Sequence, residues 1–128
     1  MWGSLLTALS REVVRAGRTL EVLVQVSLDG DTARGGALPA DLPGLAARVE
    51  TAPGLRLAGL MAVAPLAADP AVAFATLARL AARLVVDHPQ ATTVSAGMSG
   101  DLEQAIAAGA THVRVGSALF GHRSPILR

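Results

Sequence analysis

Two segments near the carboxyl end of the chain carry glycine and serine where chemistry could occur. Residues 95–102 read SAGMSGDL and residues 113–117 read VRVGS, so in each a short apolar run meets a Gly/Ser loop that opens a helical turn. Backbone N–H groups at such loops, together with a hydroxyl, bind anions such as phosphate. Ser99, Gly116 and Ser117 are therefore candidate phosphate ligands. The alternative is that Ser99 only caps a helix and that the glycines only turn the chain.

The sequence contains no side-chain amine and no thiol. All eleven of its basic residues are arginines, and it has no cysteine. A Schiff base between a side chain and a carbonyl ligand requires a lysine amine, so an internal aldimine cannot form within this chain. The histidines, His88, His112 and His122, do not show the spacing of a metal site, and we expect no metal.

Apolar patterns alternate between helical and strand periodicity along the chain. Helices are predicted over residues 4–16, 41–50, 71–86 and 99–108, and strands over residues 20–27, 55–63, 92–96 and 112–115. Strict alternation predicts an α/β fold with parallel strands and helical crossovers. A (β/α)8 barrel needs eight strands and about 250 residues, of which four predicted strands would supply half. In such barrels a phosphate often binds at the loops after the last two strands, where the two Gly/Ser segments lie.

The same segments resemble a known family. Residues 95–123, SAGMSGDLEQAIAAGATHVRVGSALFGHR, resemble the C-terminal signature of the pyridoxal phosphate homeostasis family (YggS/PROSC type), which is related to the alanine racemase N-terminal domain. Upstream, residues 23–27 (LVQVS) and 59–65 (GLMAVAP) resemble two strands of that family, in the same order and with compatible spacing. Ala96 is a small departure from the signature. The resemblance covers most of residues 5–123.

The resemblance implies a fold and a cofactor. The fold would be the C-terminal half of a TIM barrel, with about four parallel strands, outer helices and pyridoxal 5'-phosphate (PLP) at the carboxyl ends of the strands. Ser99 and the Gly116-Ser117 loop would hold the phosphate, and Arg114 would face the pyridine nitrogen. Because a guanidinium keeps its proton, it would keep that nitrogen unprotonated. The alternative for Arg114 is an ion pair with a carboxylate.

One departure from the family concerns covalent chemistry. Family members carry the lysine that bonds PLP near the end of their first strand, and residues 1–128 contain neither that strand nor any lysine. We therefore expect residues 1–128 to form a partial domain, equivalent to the fifth to eighth βα units, in a truncated family member. PLP would bind this chain weakly and without a covalent bond, and we expect no catalysis by this chain alone.

Composition excludes several other functions. The arginines are scattered and only 2% of residues are aromatic, so no nucleic-acid surface is expected. The longest largely apolar run, residues 57–68, is too short to span a membrane, and we expect a cytoplasmic protein. Two alternatives to a PLP homeostasis protein stay open. One is a half-barrel binding module that assembles with itself, or with a separate N-terminal half, through open edges; the other is a fragment of an alanine-racemase-type enzyme.

Overall fold

The structure, a computed structural model, describes residues 2–116, where helices and strands alternate. The elements are α1 (Trp2–Arg15), β1 (Leu20–Gln25), α2 (Leu42–Thr51), β2 (Leu55–Ala62), α3 (Pro70–Asp87), β3 (Thr93–Ala96) and α4 (Leu102–Ala107). From α1 to β3, each boundary lies within two residues of the predicted one. No helix in this part of the chain is both long and apolar enough to cross a membrane.

The strands β1, β2 and β3 form one parallel sheet in chain order, which confirms the predicted α/β fold with parallel strands. The helix α2 connects β1 to β2, and α3 connects β2 to β3. Ala62 at the end of β2 pairs with Ala96 at the end of β3, so the two strands finish level. The loops that follow them therefore open on one edge of the sheet, where α/β proteins bind their ligands.

The hydrophobic core lies between the helices and one face of the sheet. Val24 of β1 pairs with Leu60 of β2, and both are buried in the core with Phe74 of α3. Leu23 and Met61, which alternate with them along the strands, are only half-buried and lie outside this core. Since successive side chains of a strand point to opposite faces, the described helices cover one face and leave the other without a helical layer.

The fourth predicted strand, residues 112–115, does not form as a strand. The segment lies parallel to β3 and makes a single bridge, between Ser95 and His112. A regular ladder would next bond the Arg114 N–H to the last carbonyl of β3. That N–H instead donates to the carbonyl of Gly97, one residue further along, at 2.9 Å. The expected four strands are thus corrected to three strands and one bridged segment within residues 2–116.

The connection between β1 and α2 folds back on the edge of β1. Val26 forms an isolated parallel bridge with Ala37, in which the Ala37 N–H donates to the Gln25 carbonyl and the Ser27 N–H to the Ala37 carbonyl, both at 2.8 Å. The predicted strand 20–27 therefore ends at Gln25, and its last two residues pair with the loop. This bridge covers the edge of β1 at its carboxyl end.

Gly59 allows β2 to approach β3 closely. The pairing of β1 with β2 shifts by one residue just before Gly59, which marks a bulge. Gly59 has a φ of 152°, and a Cβ built there would lie 1.8 Å from the Thr93 carbonyl oxygen. Because the backbones of Gly59 and Thr93 are paired, neither can move away from such a Cβ without breaking the ladder. Only glycine fits at this position.

We predict that Gly59→Ala lowers the free energy of unfolding by about 3 kcal/mol or more, because overpacking and backbone strain combine. The matched control is Gly44→Ala in α2, where an added Cβ meets nothing within 4 Å. This control should raise stability by up to about 1 kcal/mol, as expected for alanine in a helix. Urea unfolding followed by circular dichroism measures both. Equal stability of the two variants would contradict the close approach at Gly59.

Candidate phosphate and cofactor site

The loop after β3 turns sharply at Gly97. Its φ is 96°, and a Cβ there would lie 2.6 Å from the Cβ of Ala105 in α4, so glycine is required. The Gly97 carbonyl turns toward the following segment and accepts the Arg114 N–H at 2.9 Å. This bond holds the loop of residues 97–101 beside residues 114–116, at the carboxyl edge of the sheet.

Ser99 lies in a tight turn that Asp101 closes with two hydrogen bonds. The Asp101 N–H donates to the Met98 carbonyl at 3.1 Å, and the Asp101 Oδ1 accepts the Met98 N–H at 2.8 Å. The N-cap position of α4 falls on Asp101, but its side chain does not cap the helix. Ser99 is thus not the N-cap residue, and the interpretation of Ser99 as a simple helix cap does not hold.

The same turn explains why α4 is shorter than predicted. A helix was expected over residues 99–108, and it extends only from Leu102 to Ala107. The residues of its expected first turn form the Met98–Asp101 turn instead, because the Asp101 side chain bonds backward to a residue outside the helix. The capping box places an acidic or amide residue three positions after a Ser or Thr, whereas Met98 occupies that first position here, so the standard pattern does not mark this turn.

Arg114 reaches across the carboxyl edge from the bridged segment to β2. Its Nη2 donates to the Ala62 carbonyl at 3.1 Å. Its Nε is buried and has no hydrogen-bond partner among the described residues. Within residues 2–116 the Arg114 guanidinium forms no ion pair with a carboxylate, which was the alternative interpretation. Sequence reasoning missed the Ala62 carbonyl, since no side-chain pattern marks a backbone acceptor.

Of the predicted phosphate ligands, two lie in the described part of the chain. Ser99 is half-buried in the turn after β3, and Gly116 is exposed at the end of the bridged segment. Because Arg114 is bonded to Gly97, both segments lie at the same edge of the sheet. Ser117 lies outside the described residues, so the convergence of all three on one phosphate stays a prediction.

A small cavity lies at the same edge, beside the loop after β1. It has a volume of about 140 Å³, and Gln25, Asp29 and Val63 are among its lining residues. The Asp29 Oδ1 accepts the Asp31 N–H at 2.9 Å, and Asp31 accepts the Ala33 N–H at the same distance. The two aspartates therefore shape this loop through local turns, and within residues 2–116 no group of three His, Cys, Asp or Glu residues could hold a metal ion.

Comparison with known proteins assigns the chain to a family. The family model for the alanine racemase N-terminal domain matches residues 4–124 of the sequence. The chain belongs to this family. It is 47% identical to the pyridoxal phosphate homeostasis protein of Mycobacterium tuberculosis strain H37Rv, over 93% of this chain and 50% of that protein. The chain thus spans about half the length of the curated relatives it matches.

Solved structures agree with this assignment. PipY of Synechococcus elongatus PCC7942 without PLP matches with a TM-score of 0.82 and 35% identity, over 92% of this chain and 57% of PipY. PipY with PLP bound matches with a TM-score of 0.77 and 36% identity, over 88% of this chain and 54% of PipY. The fold of the described residues is therefore that of an alanine racemase N-terminal domain, with its parallel strands.

We predict that Arg114→Met changes the free energy of unfolding by less than about 1 kcal/mol. The variant loses the hydrogen bond to Ala62, but it also removes the buried Nε without a partner, and the two effects are of similar size, roughly 1–3 kcal/mol each. The control is Arg79→Met on the exposed surface of α3, where we expect a change within about 0.5 kcal/mol. Thermal unfolding compares the two. A loss above about 3 kcal/mol would contradict this balance and show that the fold depends on Arg114.

Proposed function

We propose that residues 1–128 form the fifth to eighth βα units of a PLP-binding (β/α)8 barrel, and that the chain binds PLP without a covalent bond. The observation that carries this proposal is the buried Arg114 Nε, a hydrogen-bond donor without a partner among residues 2–116. A buried donor without a partner is unfavourable by roughly 1–3 kcal/mol, so such a group favours a ligand acceptor. The proposed role of the chain is PLP binding in PLP homeostasis, and a cytoplasmic location belongs to the same proposal.

The chemistry of Arg114 fits the pyridine ring of PLP. A pyridine nitrogen without a proton is an acceptor, and a guanidinium can only donate. The Arg114 Nη2 is held by the Ala62 carbonyl, which leaves the Nε as the remaining buried donor of that side chain. When bound, PLP supplies an aldehyde and an aromatic ring that withdraws electrons. Arg114 would orient the ring and keep its nitrogen unprotonated, which weakens that withdrawal.

The phosphate of PLP would lie at the two Gly/Ser loops. Ser99 would donate from the turn after β3, and Gly116 and Ser117 would donate from the segment that follows Arg114. The hydrogen bond of 2.9 Å between the Arg114 N–H and the Gly97 carbonyl supports this arrangement, because it joins the two segments. The PLP bound in the related PipY structure supports the choice of ligand. A site of this kind, open to water, should bind PLP with a Kd of about 1 mM or weaker.

A second candidate function is a half-barrel module that assembles with a copy of itself or with a separate N-terminal half. The half-buried Leu23 and Met61 on the sheet face without a helical layer favour it, as does the edge of β1 before its bridge with Ala37. Open edges and apolar faces promote association. A fragment of an alanine-racemase-type enzyme is a weaker candidate, since the sequence has no lysine to supply the catalytic amine.

We predict that the purified 128-residue chain self-associates at micromolar concentration. Burial of the open sheet face and edge supplies the driving force. Multi-angle light scattering across a dilution series measures the mass, and a mass that rises with concentration is the expected result. A monomer at every concentration, with a compact hydrodynamic radius, would exclude assembly of the chain with itself and leave the PLP proposal intact.

The PLP proposal is tested by titration of the chain with PLP. We expect reversible binding near 1 mM, measured by absorbance and by ³¹P NMR of the phosphate. Arg114→Met should weaken it about tenfold, because the ring loses a donor from a charged group, whereas the control Arg79→Met should not.

Covalent attachment is tested on the same samples by borohydride reduction followed by peptide mass mapping. No adduct on an internal residue is expected, because the sequence contains no lysine to form an aldimine. An adduct confined to the terminal amine reports only the general reactivity of an aldehyde with amines. A reduced adduct on an internal side chain, or equal affinity of the two arginine variants, would overturn the proposal.

A further inference from the structure

Asp101 lies in the candidate phosphate loop although its carboxylate carries a negative charge, as a phosphate does. We propose that Asp101 is a positioning residue: its carboxylate accepts the Met98 N–H and thereby fixes the turn that presents Ser99 and Gly100 to the phosphate. This inference rests on the proposed function, because it concerns the same site. It assigns Asp101 no contact with the ligand.

The geometry of the turn carries the inference. Asp101 Oδ1 accepts the Met98 N–H at 2.8 Å, and the Asp101 N–H donates to the Met98 carbonyl at 3.1 Å. The main chain of Asp101 is also tied to α4, since its carbonyl accepts the Ala105 N–H at 3.2 Å. One residue therefore connects the turn to the helix behind it. A side chain at the N-cap position would ordinarily bond forward into the helix, and this one bonds backward.

Glycines on both sides of Ser99 make the hydrogen bond between Asp101 and Met98 important for the shape of the loop. Gly97 and Gly100 flank Ser99, and glycine loses more conformational entropy on ordering than any other residue. The Gly100 N–H has no hydrogen-bond partner within residues 2–116, and an added Cβ at Gly100 would meet nothing within 4 Å. Gly100 itself thus has little support within the described residues. The carboxylate of Asp101 supplies a restraint from behind it.

The bond also decides which amides are available to an anion. The Met98 N–H is already satisfied by the carboxylate, so it cannot serve a phosphate. The Gly100 N–H has no acceptor among residues 2–116 and remains available there. Asp101 would therefore direct the phosphate toward the tip of the turn and away from Met98.

The charge of Asp101 should weaken phosphate binding, whereas its hydrogen bond to Met98 should strengthen it, so substitutions can separate the two effects. A carboxylate repels a phosphate dianion, whereas its acceptor oxygen holds the loop. Asparagine keeps an acceptor oxygen in nearly the same place and removes the charge. Alanine removes both. Glu103 provides a matched control, because it is exposed in the first turn of α4 and its charge can be removed without touching the Met98 N–H.

The experiment compares wild type, Asp101→Asn, Asp101→Ala and Glu103→Gln as the full 128-residue chain. Inorganic phosphate and PLP are titrated separately, with binding followed by ¹H–¹⁵N NMR, and amide exchange at Met98 is measured without ligand. We expect Asp101→Ala to bind both ligands about tenfold more weakly and to lose protection at Met98. Asp101→Asn should keep that protection and bind at least as tightly as wild type, as should Glu103→Gln.

The outcomes separate this inference from the proposed function. If wild type responds to neither ligand, both are overturned. If wild type binds and Asp101→Ala binds equally well, the positioning role alone is overturned. If Asp101→Ala does not fold, the comparison of Asp101→Asn with Glu103→Gln decides. Equal affinities with protection at Met98 retained support the role of the acceptor oxygen. Equal affinities after loss of that protection, or an Asp101→Asn affinity more than threefold weaker with protection retained, overturn it.

Discussion

The close approach of β2 and β3 at Gly59 is the constraint on which the rest of the structure depends. A Cβ at this position would lie 1.8 Å from the Thr93 carbonyl oxygen, so the two backbones can pair there only around a glycine. From this point the register continues without interruption to Ala62 and Ala96, which finish level. Had the strands been displaced by one residue, every side chain of β3 would have moved to the other face. The candidate site is built on this level edge.

Beyond that edge, individual hydrogen bonds replace the regular ladder. The Arg114 N–H bonds the Gly97 carbonyl, the Arg114 guanidinium bonds the Ala62 carbonyl, and Asp101 bonds Met98. Each of these bonds joins groups that belong to no common strand or helix. An irregular edge of this kind leaves some donors unpaired, and the Arg114 Nε is one of them within the described residues. The loss of regular structure and the proposed capacity to bind a ligand would therefore have the same origin.

Much of the fold could be predicted because its signals are local and periodic. The helix expected over residues 71–86 occurs as Pro70–Asp87, since its apolar face repeats for several turns. The errors occur where a single side chain or carbonyl redirects the backbone. Asp101 removes the first turn from the helix expected at 99–108, and Gly97 ends the pairing expected at 112–115. Arg114 was a candidate from the family resemblance, whereas its Ala62 partner left no trace in the sequence.

Non-covalent binding has a kinetic consequence for the proposed function. With ordinary association rates of about 10⁶ M⁻¹s⁻¹, a site with a Kd near 1 mM would release its ligand about a thousand times per second. A lysine would replace this exchange with slow making and breaking of a covalent bond. This sequence has no lysine, and its arginine guanidiniums orient a ligand without forming a Schiff base with it. Under the proposed function, the combination of Arg114 with backbone amides would therefore suit reversible binding of PLP better than chemistry on it.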